Sequence, residues 1–264
     1  MHMAEGARLG LDYSYSLIDF DRVGLSPAVL ESVVKLAEVH GLAGLNVTHP
    51  FKQTIIPYVD ALSAEAAAIG AVNTIVFSGG SAIGHNTDCF GFAESFRREM
   101  KGADLERVLL IGAGGAGKAV AHALRDLGAA QIDIFDLDRE RGADLAGSLN
   151  SLPWPGRANA IPDVSRAALC ASGIVNTTPV GMAKYPGMPA PATALRPDLW
   201  VADIIYFPAE TKLLRTASAL GCRVLPGRGM AIFQAVRAFE LITGHLPDPH
   251  EMSRHFDSAA GNSP

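Results

Sequence analysis

The sequence predicts an α/β protein of two lobes with a cleft between them. Three observations lead there. Short apolar runs alternate with amphipathic stretches of helical period through most of the 264 residues. A glycine-rich turn, Gly112–Gly117, joins the apolar run "VLLI" directly to a helical stretch. A polar segment, Lys101–Glu106, separates the part of the chain before that turn from a regular βαβ pattern after it. The second lobe therefore reads as a Rossmann-type doubly wound parallel sheet.

The elements follow in order. "MHMAEGARLG" reads as the end of a helix and "LDYSYSLIDF" as a strand. "SPAVLESVVKLAEVHG" is a helix with Ser26 as N-cap, Pro27 in the first turn and Gly41 as the stop. "LAGLNV" is a short buried strand, and "PFKQTIIPYVDAL" and "SAEAAAIGA" are short helices. "VNTIVF" and "AIGHN" are strands around a Gly-rich turn. "TDCFGFAESFRREM" is a helix carrying Phe90, Phe92 and Phe96 close together. After the linker come strand, turn and helix in "RVLLIGAGGAGKAVAHALRDLG", then the strand "AQIDIFDLD" and the helix "RERGADLAGSLN". "GIVNTTPVGM" and "LWVADIIYFP" close further strands. "TKLLRTASALG" is a helix, "CRVLPG" a strand and "GMAIFQAVRAFELITG" a long closing helix. "HFDSAAGNSP" reads as a frayed tail.

Composition narrows the function classes. With 48% hydrophobic and 19% charged residues the chain has ample apolar material for buried sheets. A net charge of −5 with no basic block argues against a nucleic-acid surface. Cys89, Cys170 and Cys222 are too few and too scattered for a disulfide framework or a zinc site, and no metal site is visible. No signal-like start and no spanning apolar run is seen, so a soluble, cytoplasmic protein is expected.

"GAGGAG" fits G-x-G-x-x-G in the required strand–turn–helix setting. Gly112 permits the tight turn, Gly114 the approach of a pyrophosphate to the helix N-terminus, and Gly117 close helix–strand packing. A ligand-free turn is the plainer reading, but the next strand supplies the second half of the signature. Asp136 lies 24 residues after Gly112, near the spacing of an acid that accepts ribose hydroxyls and repels a 2′-phosphate. NAD is therefore expected rather than NADP. Asp138 is a rival that also reads as a solvated turn residue. Arg139 and Arg141 either reach a 2′-phosphate or lie over the adenine, and the latter is favoured for Arg141.

Polar groups gather where strands of the first lobe end: Asn46, Thr48, Lys52, Asn73, Asn86, Thr87, Asp88 and, far along the chain, Gln234. Singly, Lys52 reads as a surface lysine, Asp88 as a helix cap and Asn73 as a turn former. Beside a nucleotide lobe, the set suits a small polyhydroxylated acid. Residues 1–100 with 229–264 then form a substrate-binding, catalytic domain and residues 101–228 a dinucleotide-binding domain.

The chain resembles the shikimate/quinate dehydrogenase family. The matching stretches are "GLNVTHPFKQ", "IGAVNTIV", "GHNTDCFGF", "IGAGGAGKA", "VNTTPVGM", "DIIYFPAETKLL" and "GMAIFQA", in the family's order from about Leu42 to about Gly244. The resemblance implies hydride transfer between a nicotinamide and a ring carbon bearing a hydroxyl, with Lys52 and Asp88 assisting proton transfer. It implies that Asn73 and Gln234 bind ring hydroxyls with Asp88, and that Asn46, Thr48 and Tyr206 line the substrate. It implies a cofactor loop of Gly112, Ala113, Gly114, Gly115, Ala116 and Gly117, with Thr177 and Met230 on the nicotinamide side. His49, His85 and His122 have no motif or partner behind them and read as packing or surface residues. The partner is a cyclic carboxylic acid, and the protein a monomer or homodimer.

Two departures from the family pattern stand out. Asp136-Leu137-Asp138 replaces the usual Asn-Arg-Thr or Asn-Arg-Ser, as in NAD-using quinate/shikimate enzymes. The family's N-terminal strand and Ser-x-Ser stretch are absent. This predicts a natural chain longer by one βα turn, roughly 20–25 residues, whose strand would sit inside the first lobe's sheet. The leading expectation is an NAD-dependent dehydrogenase of shikimate or quinate. Its rivals are an NADP-dependent biosynthetic shikimate dehydrogenase, a paralogue acting on an amino-substituted ring, and a silent sensor binding dinucleotide or shikimate-like ligands.

Overall fold

A computed structural model describes residues 1–261. The chain folds as two compact units, residues 88–231 and residues 1–87 together with those from 232 onward. Lys101–Glu106, expected as the linker, lies inside the 88–231 unit.

The first unit opens with α1 (His2–Arg8). Leu11–Asp19, expected as a strand, has no ladder partner. Aromatic packing holds it instead: Tyr13 lies 5.2 Å from Phe239 and Tyr15 stacks on His2 at 4.8 Å. A short helix α2 (Phe20–Val23) follows, capped by the Asp19 carboxylate and ended by Gly24 at φ 67°. The Ser26 hydroxyl accepts from the Ala28 N–H and opens a 3₁₀ turn, Pro27–Val29, that leads into α3 (Leu30–Val39). Strand β1 (Gly44–Asn46) comes next. The expected helix over Pro50–Leu62 is a run of turns with one 3₁₀ turn, Ile56–Tyr58, because Pro57, in its interior, lacks the N–H a helix would use. An unexpected two-residue strand β2 (Ala61–Leu62) precedes α4 (Ala64–Ile69), which Ser63 caps and Gly70 ends. Strands β3 (Thr74–Ser78) and β4 (Ser81–His85) form a hairpin, with Gly79 and Gly80 both at positive φ in its two-residue turn. The sheet order is β1-β3-β4-β2, antiparallel except for the β2/β4 pair. Ile75, Val72, Ile55, Leu30 and Val34 fill its core.

The second unit begins with α5 (Asp88–Glu99), where Phe92 and Phe96 are buried and Phe90 is partly exposed. Phe96 meets Trp200 edge-on at 5.0 Å, which ties α5 to the unit's sheet. Then come β5 (Arg107–Ile111), α6 (Gly115–Asp126), β6 (Gln131–Phe135) and α7 (Arg139–Asn150). A strand without an apolar run, β7 (Arg157–Ala160), and a five-residue helix, α8 (Val164–Ala168), follow; neither was expected. The unit continues through β8 (Gly173–Asn176), β9 (Trp200–Asp203), α9 (Lys212–Ala219) and β10 (Arg223–Pro226). All six strands are parallel in the order β7-β6-β5-β8-β9-β10. The order reverses between β5 and β8, the switch point where a doubly wound sheet holds its ligand.

Helix α10 (Arg228–Thr243) starts in the second unit and ends in the first, and α11 (Pro249–Gly261) follows. The frayed tail expected from residue 255 is helical to Gly261, and its last three residues lie outside those described. Met252 packs with Ala235 and Phe239 in a buried cluster. The buried Glu5 carboxylate accepts from the Asp248 N–H at 2.7 Å and joins α1 to the start of α11.

Candidate active site

In the second unit the turn after β5 is built for a dinucleotide. Gly112 sits at φ 103°, a conformation that favours glycine. A Cβ on Gly117 would fall 2.1 Å from the Gly112 carbonyl oxygen, so α6 and the strand end touch through bare backbone. A Cβ on Gly114 would meet nothing within 4 Å, which leaves space above the loop. No side chain caps α6, and its first intrahelical bond runs from the Lys118 N–H to the Gly114 carbonyl. The N–H groups of Gly115, Ala116 and Gly117 thus head a twelve-residue helix as anion donors.

Asp136 stands at the end of β6. Its Oδ2 accepts from the Ala113 N–H at 2.7 Å and its Oδ1 from the Asp138 N–H at 2.9 Å. One carboxylate therefore braces the glycine loop and the next turn, and its remaining lone pairs are available to a ribose. A cavity of about 140 Å³ opens beside it, lined by Ile134, Asp136, Arg139, Gly142, Ala160, Ile161 and Pro162. Of the two arginines singled out from the sequence, Arg139 lines this cavity. Arg141 is not among the lining residues and lies 3.5 Å from the Asp138 carboxylate, one helical turn away. These residues fit a dinucleotide: an open backbone cradle for phosphates, an acid for the ribose and an apolar-walled space for the base.

Thr177 follows β8, and its hydroxyl donates to the carbonyls of Ile111 and Gly112, each at 2.9 Å. It locks the glycine loop to the neighbouring strand across the switch point. Behind it lies a buried network that sequence reasoning missed. Asp203, at the end of β9 and 1% exposed, accepts from Asn176 Nδ2 at 3.0 Å, the Ile205 N–H at 3.1 Å and the Thr211 hydroxyl at 2.7 Å. Asn176 Oδ1 in turn accepts from the N–H and hydroxyl of Thr178. The only sequence signal for it was a carboxylate closing the apolar run "LWVAD". Tyr206, on the loop after Asp203, is half exposed. Met230 is buried beside Asp203, Ser95 and Phe92 around a cavity of about 10 Å³, close to the least space that holds a water.

Burial pushes the Asp203 carboxyl up to about 6, against its three donors. Burial also pulls His122 down to about 4, with Arg125 adding to it, and His2 to about 4. A histidine depressed in the fold contributes stability that is complete above pH 6.5 and lost as pH falls towards 4. A carboxyl raised in the fold works oppositely, since its penalty disappears over the same range. Each shift corresponds to about 3 kcal/mol, so two histidines against one aspartate leave a net loss on acidification. The denaturant midpoint is expected to fall from pH 7 to pH 4, and to fall more steeply in Asp203→Asn. A wild-type midpoint that rises on acidification would contradict the burial of neutral imidazoles.

The first unit gathers the polar residues. Asn73, Thr74 and Thr87 are buried at the β3 and β4 ends. Asn73 Oδ1 accepts from the Thr87 N–H at 2.8 Å, and its Nδ2 donates to the Thr87 hydroxyl at 2.9 Å. The Thr87 hydroxyl reaches Gln234 Oε1 at 3.4 Å. Asn46 closes β1, paired in register with Thr74, and its Nδ2 donates to the Thr74 hydroxyl at 3.3 Å. Asn86, in contrast, turns to the Ala71 carbonyl at 3.0 Å and braces the chain. Lys52 is half-buried in the turn after Thr48, and its carbonyl accepts from the Val72 N–H at 2.7 Å, next to Asn73. Thr48 is exposed, and its carbonyl accepts from the Phe51 N–H at 2.9 Å. His85 lies opposite Thr74, and its carbonyl accepts from the Asn73 N–H. Burial and the Arg237 charge lower its pKa. Asp88, 4% exposed, is the first residue of α5 and follows Thr87 directly.

A doubly wound sheet with a glycine turn and an acid bonded to it, joined in one chain to a unit rich in amides and hydroxyls, fits a dinucleotide-dependent oxidoreductase. Comparison with known proteins narrows the class. The model of the shikimate dehydrogenase substrate binding domain matches residues 1–75. A shikimate dehydrogenase (NADP(+)) of Streptomyces avermitilis is 52% identical over 265 aligned residues, covering 100% of this chain and 91% of that protein. A quinate/shikimate dehydrogenase (NAD(+)) of Corynebacterium efficiens is 42% identical, covering 97% and 91%. Among solved structures, the quinate dehydrogenase from Corynebacterium glutamicum in complex with NAD superposes with a TM-score of 0.88 at 39% identity, covering 97% of this chain and 92% of that one. The chain belongs to the shikimate/quinate dehydrogenase family of NAD(P)-dependent oxidoreductases.

Proposed function

We propose that the protein interconverts shikimate or quinate and the corresponding 3-dehydro ketone, with NAD as its preferred cofactor. The observation that carries the cofactor choice is Asp136, whose carboxylate stands at the mouth of the cavity beside the glycine loop. A fixed negative charge there accepts from ribose hydroxyls and repels a 2′-phosphate. The likeness to a quinate dehydrogenase in complex with NAD supports the same choice.

When bound, the nicotinamide supplies or accepts the hydride. The chain's own residues manage the rest. Lys52 holds the proton that leaves or reaches the substrate hydroxyl, and its ammonium stabilises negative charge developing on that oxygen. Asp88 orients the hydroxyl as an acceptor. Asn73 and Gln234 bind ring hydroxyls, and Asn46, Thr48 and Tyr206 serve the rest of the substrate. Thr177 and Met230 flank the nicotinamide.

A second reading has its own observation. Arg139 lines the cavity and offers a guanidinium to a 2′-phosphate, and the Streptomyces avermitilis relative is named for NADP(+). Initial rates of shikimate and quinate oxidation, each with NAD and with NADP, decide between them. NAD preference is expected, and Asp136→Ala is expected to lower the NAD:NADP ratio of kcat/KM by roughly 10- to 100-fold, the worth of hydrogen bonds to a charged group. NADP preference in the wild type would give the site to Arg139. Absence of turnover in all four mixtures would favour a binding protein without catalysis.

A further inference from the structure

Five hydrogen bonds in the first unit form a chain from Tyr15 to Gln234. The Tyr15 hydroxyl donates to Asn46 Oδ1 at 3.0 Å, and Asn46 Nδ2 donates to the Thr74 hydroxyl at 3.3 Å. The Thr74 hydroxyl donates to Asn73 Oδ1 at 3.1 Å, Asn73 Nδ2 to the Thr87 hydroxyl at 2.9 Å, and that hydroxyl to Gln234 Oε1 at 3.4 Å. Hydroxyl protons can turn and amides can flip, so such a relay keeps its direction only where a group of fixed polarity holds it. Asn73 has one, because the Thr87 backbone N–H can only donate to its Oδ1. Asn46 is held differently. With its amide reversed, the Thr74 proton would simply turn to meet it. The Tyr15 hydroxyl can follow either amide orientation as well, so it holds the place of the Asn46 side chain rather than its polarity.

Tyr15 is itself held in place. Its ring stacks on His2 with centroids 4.8 Å apart and planes within 10°, and His2 lies 6.1 Å from Phe239 of α10. His2 is buried. The stretch Leu11–Asp19, which forms no strand, thus delivers one hydroxyl to the end of β1.

We infer that Tyr15 is a positioning residue for the substrate site, whose hydroxyl holds the Asn46 side chain at the end of β1 where its amide meets a polar group of a hydroxylated ring acid. The inference rests on the substrate site proposed above.

The test is a double-mutant cycle on the full chain with Tyr15→Phe, Asn46→Ala and the pair, measuring initial rates with shikimate or quinate, whichever the wild type turns over faster. Tyr15→Phe keeps the ring and its stack. It is expected to raise substrate KM roughly 3- to 10-fold, the worth of one hydrogen bond, with kcat within about twofold and cofactor KM and Tm unchanged. In the Asn46→Ala background it should add nothing. If Asn46→Ala raises KM and Tyr15→Phe does not, the inference is overturned and the substrate site stands. If Tyr15→Phe lowers Tm and raises cofactor KM as well, its role is structural and the inference is also overturned. If Asn46→Ala leaves KM unmoved, the substrate site and the inference fall together. Asn46→Ser takes the place of Asn46→Ala should that variant not fold.

Discussion

Lys52→Ala is expected to lower kcat by about 10²- to 10⁴-fold, the range for loss of a positioned general acid–base group, while leaving the dissociation constant for NAD within about twofold. The two readouts separate because the cofactor cradle is built from residues after β5 and β6, whereas Lys52 belongs to the turn after β1. The lysine backbone is anchored beside Asn73 through the Val72 N–H, so removal of the side chain beyond Cβ leaves the turn its hydrogen bond. Pre-steady-state rates and cofactor fluorescence titration read the two effects independently. A kcat within tenfold of wild type would remove Lys52 from the chemistry. Asp88 would then be the next group to test, with Asp88→Asn keeping the shape of its side chain.

Gly117→Ala is expected to cost about 3 kcal/mol of stability, the upper range for overpacking, and to weaken NAD binding at least tenfold. The added methyl would sit 2.1 Å from the Gly112 oxygen and 2.8 Å from its carbonyl carbon, with the Thr177 hydroxyl at 3.0 Å. Two of those atoms are backbone, so relief requires α6 to move away from the strand end and the phosphate cradle to open. Gly147→Ala in α7 is the control. Its methyl meets nothing within 4 Å, and a glycine in a helix interior costs about 1 kcal/mol relative to alanine, so that variant should be neutral or more stable. Thermal melts with and without NAD test both. Equal behaviour of the two variants would refute the packing argument.

Much of the architecture was legible because it is written locally. The glycine turn needs glycine at 112 for its positive φ and at 117 for close packing, and β5 and α6 flank it directly. The hairpin between β3 and β4 announces itself by Gly79-Gly80, and α4 by Ser63 and Gly70. The errors have physical causes as well. Leu11–Asp19 has the composition of a strand but no partner for its ladder, and a strand exists only when one is present. Pro50–Leu62 has a helical pattern of apolar residues, but Pro57 in its interior removes a helical hydrogen bond. Strand β2 has only two residues, and β7 reads RANA, with no apolar run to mark it.

The sequence by itself determined the class of protein: a glycine turn between strand and helix, an acid closing the next strand, and a separate store of amides, hydroxyls and one ammonium. Each of these depends on residue type at short spacing, where the backbone alone sets the geometry. Only the tertiary structure decided which side chains reach one another across strands. It brought Asn176 to Asp203 across 27 positions and Tyr15 to Asn46 across 31, and it set Arg139 rather than Arg141 against the cavity. The Asn176–Asp203 pairing follows from strand register, and the Tyr15–Asn46 one from an irregular segment packed through its aromatic rings; both depend on segments far apart in the chain and leave no local pattern to read.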